Sequence, residues 1–422
     1  MKSITSFVLK VASRCNLNCS YCYMYNLGDN TYLSQPKFMS IETISIFAKK
    51  LNKYCIDTKV KYLQIVFHGG EPLLWSKDNY KQAIEIFTTE VQNVIFDFAL
   101  QTNGVTLNND WYRLFEALNI RIGISMDGPK KHHDRYRVFH NGKGSYEKVT
   151  KAIELGKKYG LNSILSVVNL NIPPTEFYDE LKKIGVQNFN LLLPDGHYDN
   201  LPEGFEIGKV NSYKHTPYAD WLIEVFKIWK KDKNRPMIRF FKTLIYLIMG
   251  EQVGDQMLGM LTNGVAILET NGGIEVSDSI RACYEGITRN DLNIFKNHIE
   301  ELHNDPLFDV YFNSHKMVAE SCLNCLISEI CGGGFLGNRY SNLRGFNNPT
   351  IYCHDTVKLV SYIQNDLMDS LDKETIAFLG LSNIGYEEIL EENTKSTLRI
   401  DKSVERKLKF FKQNVKERNI TL

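Results

Sequence analysis

Short apolar runs alternate with amphipathic stretches along the first half of the chain. The apolar runs are rich in β-branched residues and predict six strands, at Ser6–Val11, Tyr62–Phe67, Phe96–Gln101, Arg121–Ser125, Ser163–Val168 and Phe189–Leu193. The intervening stretches carry apolar residues at helical spacing and predict helices at Ile41–Tyr54, Tyr80–Val91, Trp111–Leu118, Tyr146–Tyr159 and Thr175–Ile184. Strands that alternate with helices pair in parallel, so the pattern predicts an α/β fold, a partial (β/α)6 TIM-like barrel. Barrels of this kind carry their chemistry at the carboxyl ends of the strands.

The pattern changes after the sixth strand. A polar stretch leads into a helical run from Tyr218 to Ile248, and beyond about Thr262 the chain has short strands, paired glycines and clustered cysteines. Charged, amphipathic helix candidates fill the end of the chain. These changes predict four segments: a barrel at 1–217, a helical linker at 218–261, a cysteine-bearing domain at 262–369 and a helical tail at 370–422.

Charge and hydropathy limit the expected partners. The 422 residues include 50 basic and 49 acidic side chains, for a formal net charge of +1. This balance gives no electrostatic basis for binding nucleic acid or an anionic membrane. No apolar run approaches the roughly 20 residues of a membrane helix, and the amino terminus lacks the pattern of a signal peptide. We therefore expect a cytoplasmic protein.

The nine cysteines are the most informative part of the composition. Disulfides are not expected, because the chain has no export signal and is large enough to form a core without them. Cys55 lies within an amphipathic helix pattern and is expected to be a buried structural thiol. The other eight fall near the two ends of the predicted catalytic core, and clustered cysteines in a reducing compartment indicate metal binding.

Cys15, Cys19 and Cys22 directly follow the first predicted strand, where a barrel places an active-site loop. A structural zinc site needs a fourth ligand, and no further Cys or His lies nearby in the sequence. Three thiolates can instead ligate a [4Fe–4S] cluster and leave one iron open. The spacing C-x3-C-x2-C resembles that of the radical SAM superfamily. The resemblance implies that the open iron binds S-adenosylmethionine (SAM), and that one electron cleaves SAM to a 5′-deoxyadenosyl radical.

Further segments resemble the SAM-binding motifs of that superfamily. His68–Leu74 is similar to the GGEP motif that holds the SAM ammonium, and polar residues also end the third and fourth strands, where the family contacts ribose and carboxylate. Arg137 could pair with the SAM carboxylate or lie in a solvated loop. The SAM-binding residues expected from the resemblance are Tyr21, Gly69, Gly70, Glu71, Pro72, Asn103, Ser125, Asp127 and Arg137.

A second cysteine set lies toward the carboxyl terminus, at Cys322, Cys325, Cys331 and Cys353. Four thiolates could hold zinc in a ribbon or fully ligate a [4Fe–4S] cluster. Their spacing resembles the second auxiliary cluster of the SPASM extension, which implies a SPASM-like domain. Phe335 occupies the position of a ligand to the first auxiliary cluster, and 261–282 contains no cysteine. The expectation is therefore two [4Fe–4S] clusters in total, with Cys283 a free thiol.

Several segments look like the FxsB-type branch, whose members form cyclophanes in ribosomally made peptides: Val8–Cys15, His132–Arg137, Glu269–Glu275, Cys331–Ser341 and Gly345–Pro349. This resemblance implies abstraction of a Cβ hydrogen from a precursor peptide and a crosslink from Cβ to an aromatic ring. The auxiliary cluster would accept the remaining electron. Expected partners are the precursor peptide, an electron donor such as flavodoxin or ferredoxin, and a separate leader-binding protein.

Three alternatives remain open at this stage. The first is an anaerobic sulfatase-maturating enzyme, which forms formylglycine. Such enzymes carry an Asp that acts as the general base directly after the cysteine that corresponds to Cys283, whereas Tyr284 follows here. A thioether-forming enzyme is the second alternative, and a zinc-ribbon binding protein without catalysis is the third. The first strand begins within ten residues of the start, which leaves no room for an amino-terminal leader-binding domain. Gln64 and Tyr21 are candidate substrate contacts.

Overall fold

The computed structural model describes residues 3–210, 212–380, 382–395 and 398–413. The chain forms two compact units that are each assembled from separate segments. The first comprises Met1–Val168, Asp179–Leu193 and Gly264–Phe312, and the second comprises Asn169–Tyr178, Pro194–Asn263 and Asn313–Leu422. The four segments expected from the sequence stay a prediction, because a division by contacts does not show which parts fold independently.

The described residues form nine strands, and six helices lie before the end of the sixth strand. The strands are β1 (Ser6–Ala12), β2 (Tyr62–Gly69), β3 (Ile95–Thr102), β4 (Ile120–Ser125), β5 (Ser163–Val167), β6 (Asn188–Leu192), β7 (Met237–Ile238), β8 (Val265–Leu268) and β9 (Ile274–Glu275). The helices are α1 (Ile41–Thr58), α2 (Lys77–Glu90), α3 (Asn109–Ala117), α4 (Lys130–Tyr136), α5 (Tyr146–Gly156) and α6 (Pro174–Ile184).

One sheet dominates the first unit, in the order β6-β5-β4-β3-β2-β1-β8-β9. Strands β1 to β6 are parallel and follow one another in sequence order, which confirms the predicted α/β fold. Two strands from the later half of the chain extend this sheet. Strand β8 pairs in parallel with β1, and β9 pairs antiparallel with β8. The catalytic sheet therefore includes residues far beyond the predicted barrel segment.

Alternation of side chains along β1 shows how the sequence specifies two faces. Phe7 contacts Phe47 and Tyr54 of α1, with ring centroids 5.2 and 6.4 Å away, so this face packs against the helix layer. Ser6 and Lys10 point to the opposite face, because successive side chains of a strand alternate. Helix α1 begins where the sequence predicts, since the hydroxyl of Ser40 accepts a hydrogen bond from Thr43 N at 3.0 Å.

The prediction of one continuous helical run from Tyr218 to Ile248 is wrong. It forms two helices, α7 (Pro217–Lys231) and α8 (Arg239–Ile248), separated by a turn. Pro236 lies in that turn, and its carbonyl accepts from the Trp229 indole at 2.7 Å. Proline lacks an N–H and clashes with the preceding helical turn, so a helix does not continue through it.

The remaining helices lie after β9, and none of the described helices is long and apolar enough to cross a membrane. They are α9 (Pro306–Phe312), α10 (Ser328–Cys331), α11 (Cys353–Met368), α12 (Lys373–Leu379), α13 (Tyr386–Thr394) and α14 (Lys402–Lys409).

Candidate functional site

The cysteine loop follows β1, as predicted. Cys15 accepts a hydrogen bond from Leu17 N at 3.3 Å. Burial, with the charges of Glu71, Cys19 and Cys22, raises the pKa of the Cys15 thiol to about 12. Burial likewise raises the pKa of Cys22 to about 11. The three cysteines are partly exposed. Thiols with such raised pKa values are protonated without metal, and a cationic iron–sulfur centre is the kind of partner that deprotonates them. This donor set fits a cluster held by three cysteines.

Two glycines bring the end of β2 against the cysteine loop. Gly69 has φ +137°, and a Cβ at this position would collide with the Ala12 carbonyl. Gly70 N donates to Ala12 O at 2.7 Å, and Glu71 N donates to Arg14 O at 3.0 Å. Side chains at these glycines would separate the two strand ends. Pro72 then begins a short 3₁₀ turn that ends at Leu74.

The Glu71 carboxylate is fully buried and holds the ends of β2 and β3 together. Its Oε1 atom accepts from Leu73 N at 3.0 Å and from the Thr102 hydroxyl at 2.6 Å, and its Oε2 atom accepts from Asn103 N at 2.9 Å. Both oxygens are thus engaged by protein donors. This gives Glu71 a bracing role that the sequence did not indicate, and its contact with the SAM ammonium stays a prediction.

Replacement of Glu71 by Gln is expected to lower the free energy of unfolding by about 1–3 kcal/mol, because the amide nitrogen would face a backbone N–H or the Thr102 hydroxyl. Urea unfolding of the metal-free protein measures the change. Glu85→Gln is the matched control, since Glu85 is exposed on α2. Equal stability of the two variants would contradict the bracing role.

Polar residues at the ends of β3 and β4 face the cysteine loop, as the resemblance implies. Asn103 Nδ2 donates to Asn16 Oδ1 at 2.7 Å and lies 3.7 Å from Cys15 Sγ. Ser125 Oγ accepts from Gln101 Nε2 at 2.9 Å. The side chains of two strand ends and the cysteine loop therefore meet at one edge of the sheet.

Asp127, Tyr21 and Arg137 form a buried polar group beside this edge. The Tyr21 hydroxyl donates to Asp127 Oδ2, and Arg137 Nη1 donates to the Tyr21 oxygen at 2.7 Å. Arg137 Nη1 also lies 3.8 Å from Asp127 Oδ2. Arg137 Nε is buried without a hydrogen-bond partner. A buried guanidinium donor left open beside the cysteine loop suits a ligand carboxylate such as that of SAM.

His133 connects the backbone on both sides of this polar group. Its Nδ1 accepts from Asp127 N at 3.3 Å, so Nδ1 carries no proton and Nε2 must carry it. Nε2 then donates to Ser145 Oγ at 2.9 Å, and Ser145 Oγ donates to Arg137 O at 2.9 Å. Neutral His133 therefore fixes the backbone of Asp127 relative to that of Arg137.

The protein is expected to become less stable at low pH, because His133 takes up a proton more readily in the unfolded state. Burial, together with the Arg137 charge, lowers the pKa of His133 from 6.5 to about 4. The unfolded state binds the proton more readily, so stability is complete above the unfolded pKa and falls as the pH drops from about 6.5 toward 4. His133→Asn should flatten this slope in pH-dependent urea unfolding, whereas His298→Asn, at an exposed position, should not. Identical slopes in the His133 variant and the unaltered protein would contradict this assignment.

The expectations from the sequence did not include a polar group of four residues, of which Lys10 is fully buried and the others are partly exposed: Lys10, Tyr23, His68 and Asp278. Lys10 on β1 forms an ion pair with Asp278, and its Nζ lies 3.1 Å from His68 Nδ1. The Tyr23 hydroxyl donates to Asp278 Oδ2 at 2.6 Å. Burial opposes ionisation of Asp278, yet the Lys10 ammonium and these hydrogen bonds together hold its pKa below the usual range. Burial and Lys10 lower the pKa of His68 to about 3, so His68 is neutral.

A signal for this group exists in the sequence. Lys10 is a single charged residue within an apolar strand, on the same face as Ser6 and opposite the helix layer. Such a side chain is fully buried only when it has a partner. The partner is 268 residues away in the sequence and reaches Lys10 because β8 pairs with β1.

Gln64, a candidate substrate contact, lies on the same face of the sheet as Lys10. Its Oε1 accepts from the Ser6 hydroxyl at 3.1 Å, and its Nε2 donates to Asp97 at 3.0 Å. Asp97 also accepts two hydrogen bonds from Arg121. These hydrogen bonds link four neighbouring strands and use both polar atoms of the Gln64 side chain. A substrate contact is therefore not needed to explain this residue.

The second cysteine set lies entirely in the second unit. Burial, together with the charges of Cys322 and Cys325, raises the pKa of Cys331 to about 12. Cys353 is the first residue of α11, and burial and the charges of the other three cysteines raise its pKa. The four thiols are therefore close to one another and fit one shared cluster. No disulfide joins any of the nine cysteines.

Three other positions considered from the sequence are buried. Phe335 is 6% exposed, so an apolar ring fills the place where the resemblance puts a cluster ligand. Cys55 is 3% exposed on α1, in agreement with its expected structural role. Cys283 is also buried.

Comparison with known proteins shows what this chain is similar to. Residues 9–185 match the model of the Radical SAM superfamily. A cysteine-type anaerobic sulfatase-maturating enzyme of Clostridium novyi is 27% identical over 367 residues, which cover 84% of this chain and 93% of the relative. A serine-type enzyme of Bacteroides thetaiotaomicron is 28% identical over 356 residues, covering 81% of this chain and 84% of the relative.

A solved structure, native anSMEcpe with bound AdoMet and Cp18Cys peptide, shares the fold. It superposes with a TM-score of 0.72 at 24% sequence identity, covering 87% of this chain and 98% of that chain. The cyclophane-forming function expected from the sequence is wrong, because three relatives matched over more than four fifths of the chain are sulfatase-maturating enzymes. The FxsB-type segments are too short to outweigh similarity of that extent. The region that matches the model of the Radical SAM superfamily spans the cysteine loop at the end of β1.

Proposed function

We propose that this enzyme oxidises a Cys or Ser side chain of a peptide or protein substrate to formylglycine. The observation that carries the proposal is the Asp278 carboxylate, 14% exposed, which the fully buried Lys10 keeps ionised. Relatives of both the cysteine type and the serine type support the same activity and leave the target residue to experiment.

The general base that the resemblance implied is absent at its expected position, but a carboxylate is present elsewhere in the chain. The resemblance placed the catalytic carboxylate after Cys283, where the chain has Tyr284. Burial raises the pKa of Tyr284 to about 12, so this phenol does not act as a base near neutral pH. Asp278 lies six residues earlier in the sequence and supplies a carboxylate. We therefore assign the role of general base to Asp278.

The cofactors would be held by the two cysteine sets and the strand ends. Cys15, Cys19 and Cys22 would ligate the first [4Fe–4S] cluster, while Asn103, Ser125, Asp127 and Arg137 would contact SAM beside the Gly69–Pro72 turn. Together the cluster and SAM supply a 5′-deoxyadenosyl radical that removes one hydrogen atom from the substrate Cβ. Cys322, Cys325, Cys331 and Cys353 would ligate a second [4Fe–4S] cluster.

Residues of this chain would complete the oxidation by moving one proton. After loss of the Cβ hydrogen atom, the substrate must also lose the proton of its hydroxyl or thiol and one electron. Asp278 accepts the proton, and its hydrogen bond from Tyr23 fixes the carboxylate in place. The second cluster, held by Cys322, Cys325, Cys331 and Cys353, would supply the acceptor for the electron. Serine thus becomes the aldehyde by net loss of two hydrogens, and cysteine becomes a thioaldehyde that water converts to the aldehyde with release of hydrogen sulfide.

The proposal is tested by anaerobic reconstitution with iron and sulfide, followed by incubation with SAM, dithionite and synthetic peptides. Two peptides carry Cys or Ser at the target position of a sulfatase sequence, and a matched control peptide carries Ala. An aldehyde-specific reagent and mass spectrometry should detect formylglycine in a target peptide only. Cleavage of SAM with both target peptides unchanged would contradict the proposed function.

A further inference from the structure

Arg339 is buried in the second unit, with 1% of its surface exposed. Its guanidinium donates hydrogen bonds of 2.8–3.1 Å exclusively to backbone carbonyls. Nε donates to Gly333 O, Nη1 donates to Ser314 O and Met317 O, and Nη2 donates to Gly332 O and Gly334 O. All five N–H groups of the side chain are therefore used, and none contacts a carboxylate.

The loop that supplies three of these carbonyls directly follows the cluster ligand Cys331. Gly332, Gly333 and Gly334 all have positive φ, at +57°, +79° and +71°. A Cβ at Gly333 would lie 2.6 Å from Arg339 Nη2. Three successive residues in this region favour glycine, because other L-residues are strained there. The backbone after Cys331 is thus shaped around the guanidinium.

The charge of Arg339 has no acidic partner among the described residues. Arg281, an equally buried arginine of the first unit, forms ion pairs of 2.7 Å with Glu269 and Glu275. The groups whose negative charge would act on Arg339 are Cys322 and Cys331, once a cluster has deprotonated them. A buried cation without a counter-ion costs several kcal/mol, so the second unit is electrostatically incomplete until an anionic group is present beside Arg339.

We propose that Arg339 is the counter-ion of the auxiliary [4Fe–4S] cluster and sets its reduction potential. This inference rests on the proposed binding of that cluster by the second cysteine set. A cluster ligated by four thiolates is anionic and gains one more negative charge on reduction, so a nearby buried cation stabilises the reduced form more than the oxidised form. The arginine thereby raises the potential and favours transfer of the substrate electron to the cluster.

Two substitutions separate charge from structure. Arg339→Gln removes the charge, and Arg339→Lys keeps it, while both lose most of the carbonyl hydrogen bonds. Potentials are measured by redox titration followed with electron paramagnetic resonance, in a background with Cys15, Cys19 and Cys22 replaced by Ala, so that only the auxiliary cluster gives a signal. Arg339→Gln should lower the equilibrium constant for reduction at least tenfold, which corresponds to a shift of about 59 mV to more negative potential for one electron. Arg339→Lys should stay near the unaltered protein.

The outcomes distinguish the inference from the proposed cofactor. If the background protein binds no iron, the auxiliary cluster and the inference both fail. If it binds a cluster and the potentials of the Gln and Lys variants are equal, the cluster stands and the role of Arg339 is only structural. If Arg339→Gln does not retain a cluster, Gly333→Ala tests the same point, because its methyl group displaces the guanidinium without removing the charge. An unchanged potential in Gly333→Ala would then overturn the inference.

Discussion

Replacement of Asp278 by Asn is expected to lower the rate of formylglycine formation by about 100-fold or more, because a positioned general base typically contributes 10²–10⁴-fold. The amide is close in shape to the carboxylate and can still accept from Tyr23, so the site should keep its geometry while it loses the group that takes the proton. Cleavage of SAM depends on the cysteine loop and not on Asp278, so 5′-deoxyadenosine should still appear. The expected result is uncoupling of SAM cleavage from product.

The measurement follows 5′-deoxyadenosine and peptide aldehyde in the same reaction by liquid chromatography and mass spectrometry. Asp110→Asn is a control for loss of one carboxylate, since Asp110 is exposed on α3. Tyr23→Phe removes only the hydroxyl that holds Asp278 and should have a smaller effect. Retention of more than a tenth of the aldehyde rate in Asp278→Asn would contradict the assignment of the base.

The second large effect concerns the two cysteine sets. Replacing Cys15, Cys19 and Cys22 by Ala is expected to abolish SAM cleavage and to lower the iron content from about eight to about four atoms per chain, because each [4Fe–4S] cluster contributes four. Cys353→Ala should remove iron from the other site and leave SAM cleavage in place. Formylglycine formation should then fall, because the substrate electron loses its acceptor.

Cys55→Ala is the matched control, because Cys55 is a buried cysteine outside both sets. It should retain the iron, the SAM cleavage and the product of the unaltered chain. Iron and acid-labile sulfide analysis, together with absorbance near 400 nm, reports the cluster content of each variant. About four iron atoms per chain in the unaltered protein would contradict two clusters, as would an undiminished iron content in Cys353→Ala.

The sequence was sufficient to predict the parallel sheet and the position of the cysteine loop. Both depend on local patterns: alternation along each strand, caps such as Ser40, and cysteine spacing within one loop. The break between α7 and α8 was missed because the apolar spacing continues through it, although Pro236 was a usable signal. Bracing by Glu71 was missed because its three donors come from a turn and from the end of another strand.

Asp278 could not be found from local pattern. Nothing near it in the sequence marks it as catalytic, and an acidic residue after a short strand is commonly a turn residue. Its environment depends on Lys10 and Tyr23, which are more than 250 residues away. The resemblance implied a base beside Cys283, where the chain has Tyr284. The tertiary structure instead places Asp278 beside Lys10 and Tyr23.

The pairing of β8 with β1 determines how much of the chain the reaction requires. The region that matches the superfamily model ends at residue 185. It contains the cysteine loop and the strand ends, yet Gly264–Phe312 contributes β8, β9 and Asp278 to the same compact unit. A fragment limited to the matching region would leave one edge of β1 unpaired and would lack Asp278, the base that we propose. It would also lack the second cysteine set. The groups that start the proposed oxidation and the groups that complete it thus come from distant stretches of the polypeptide.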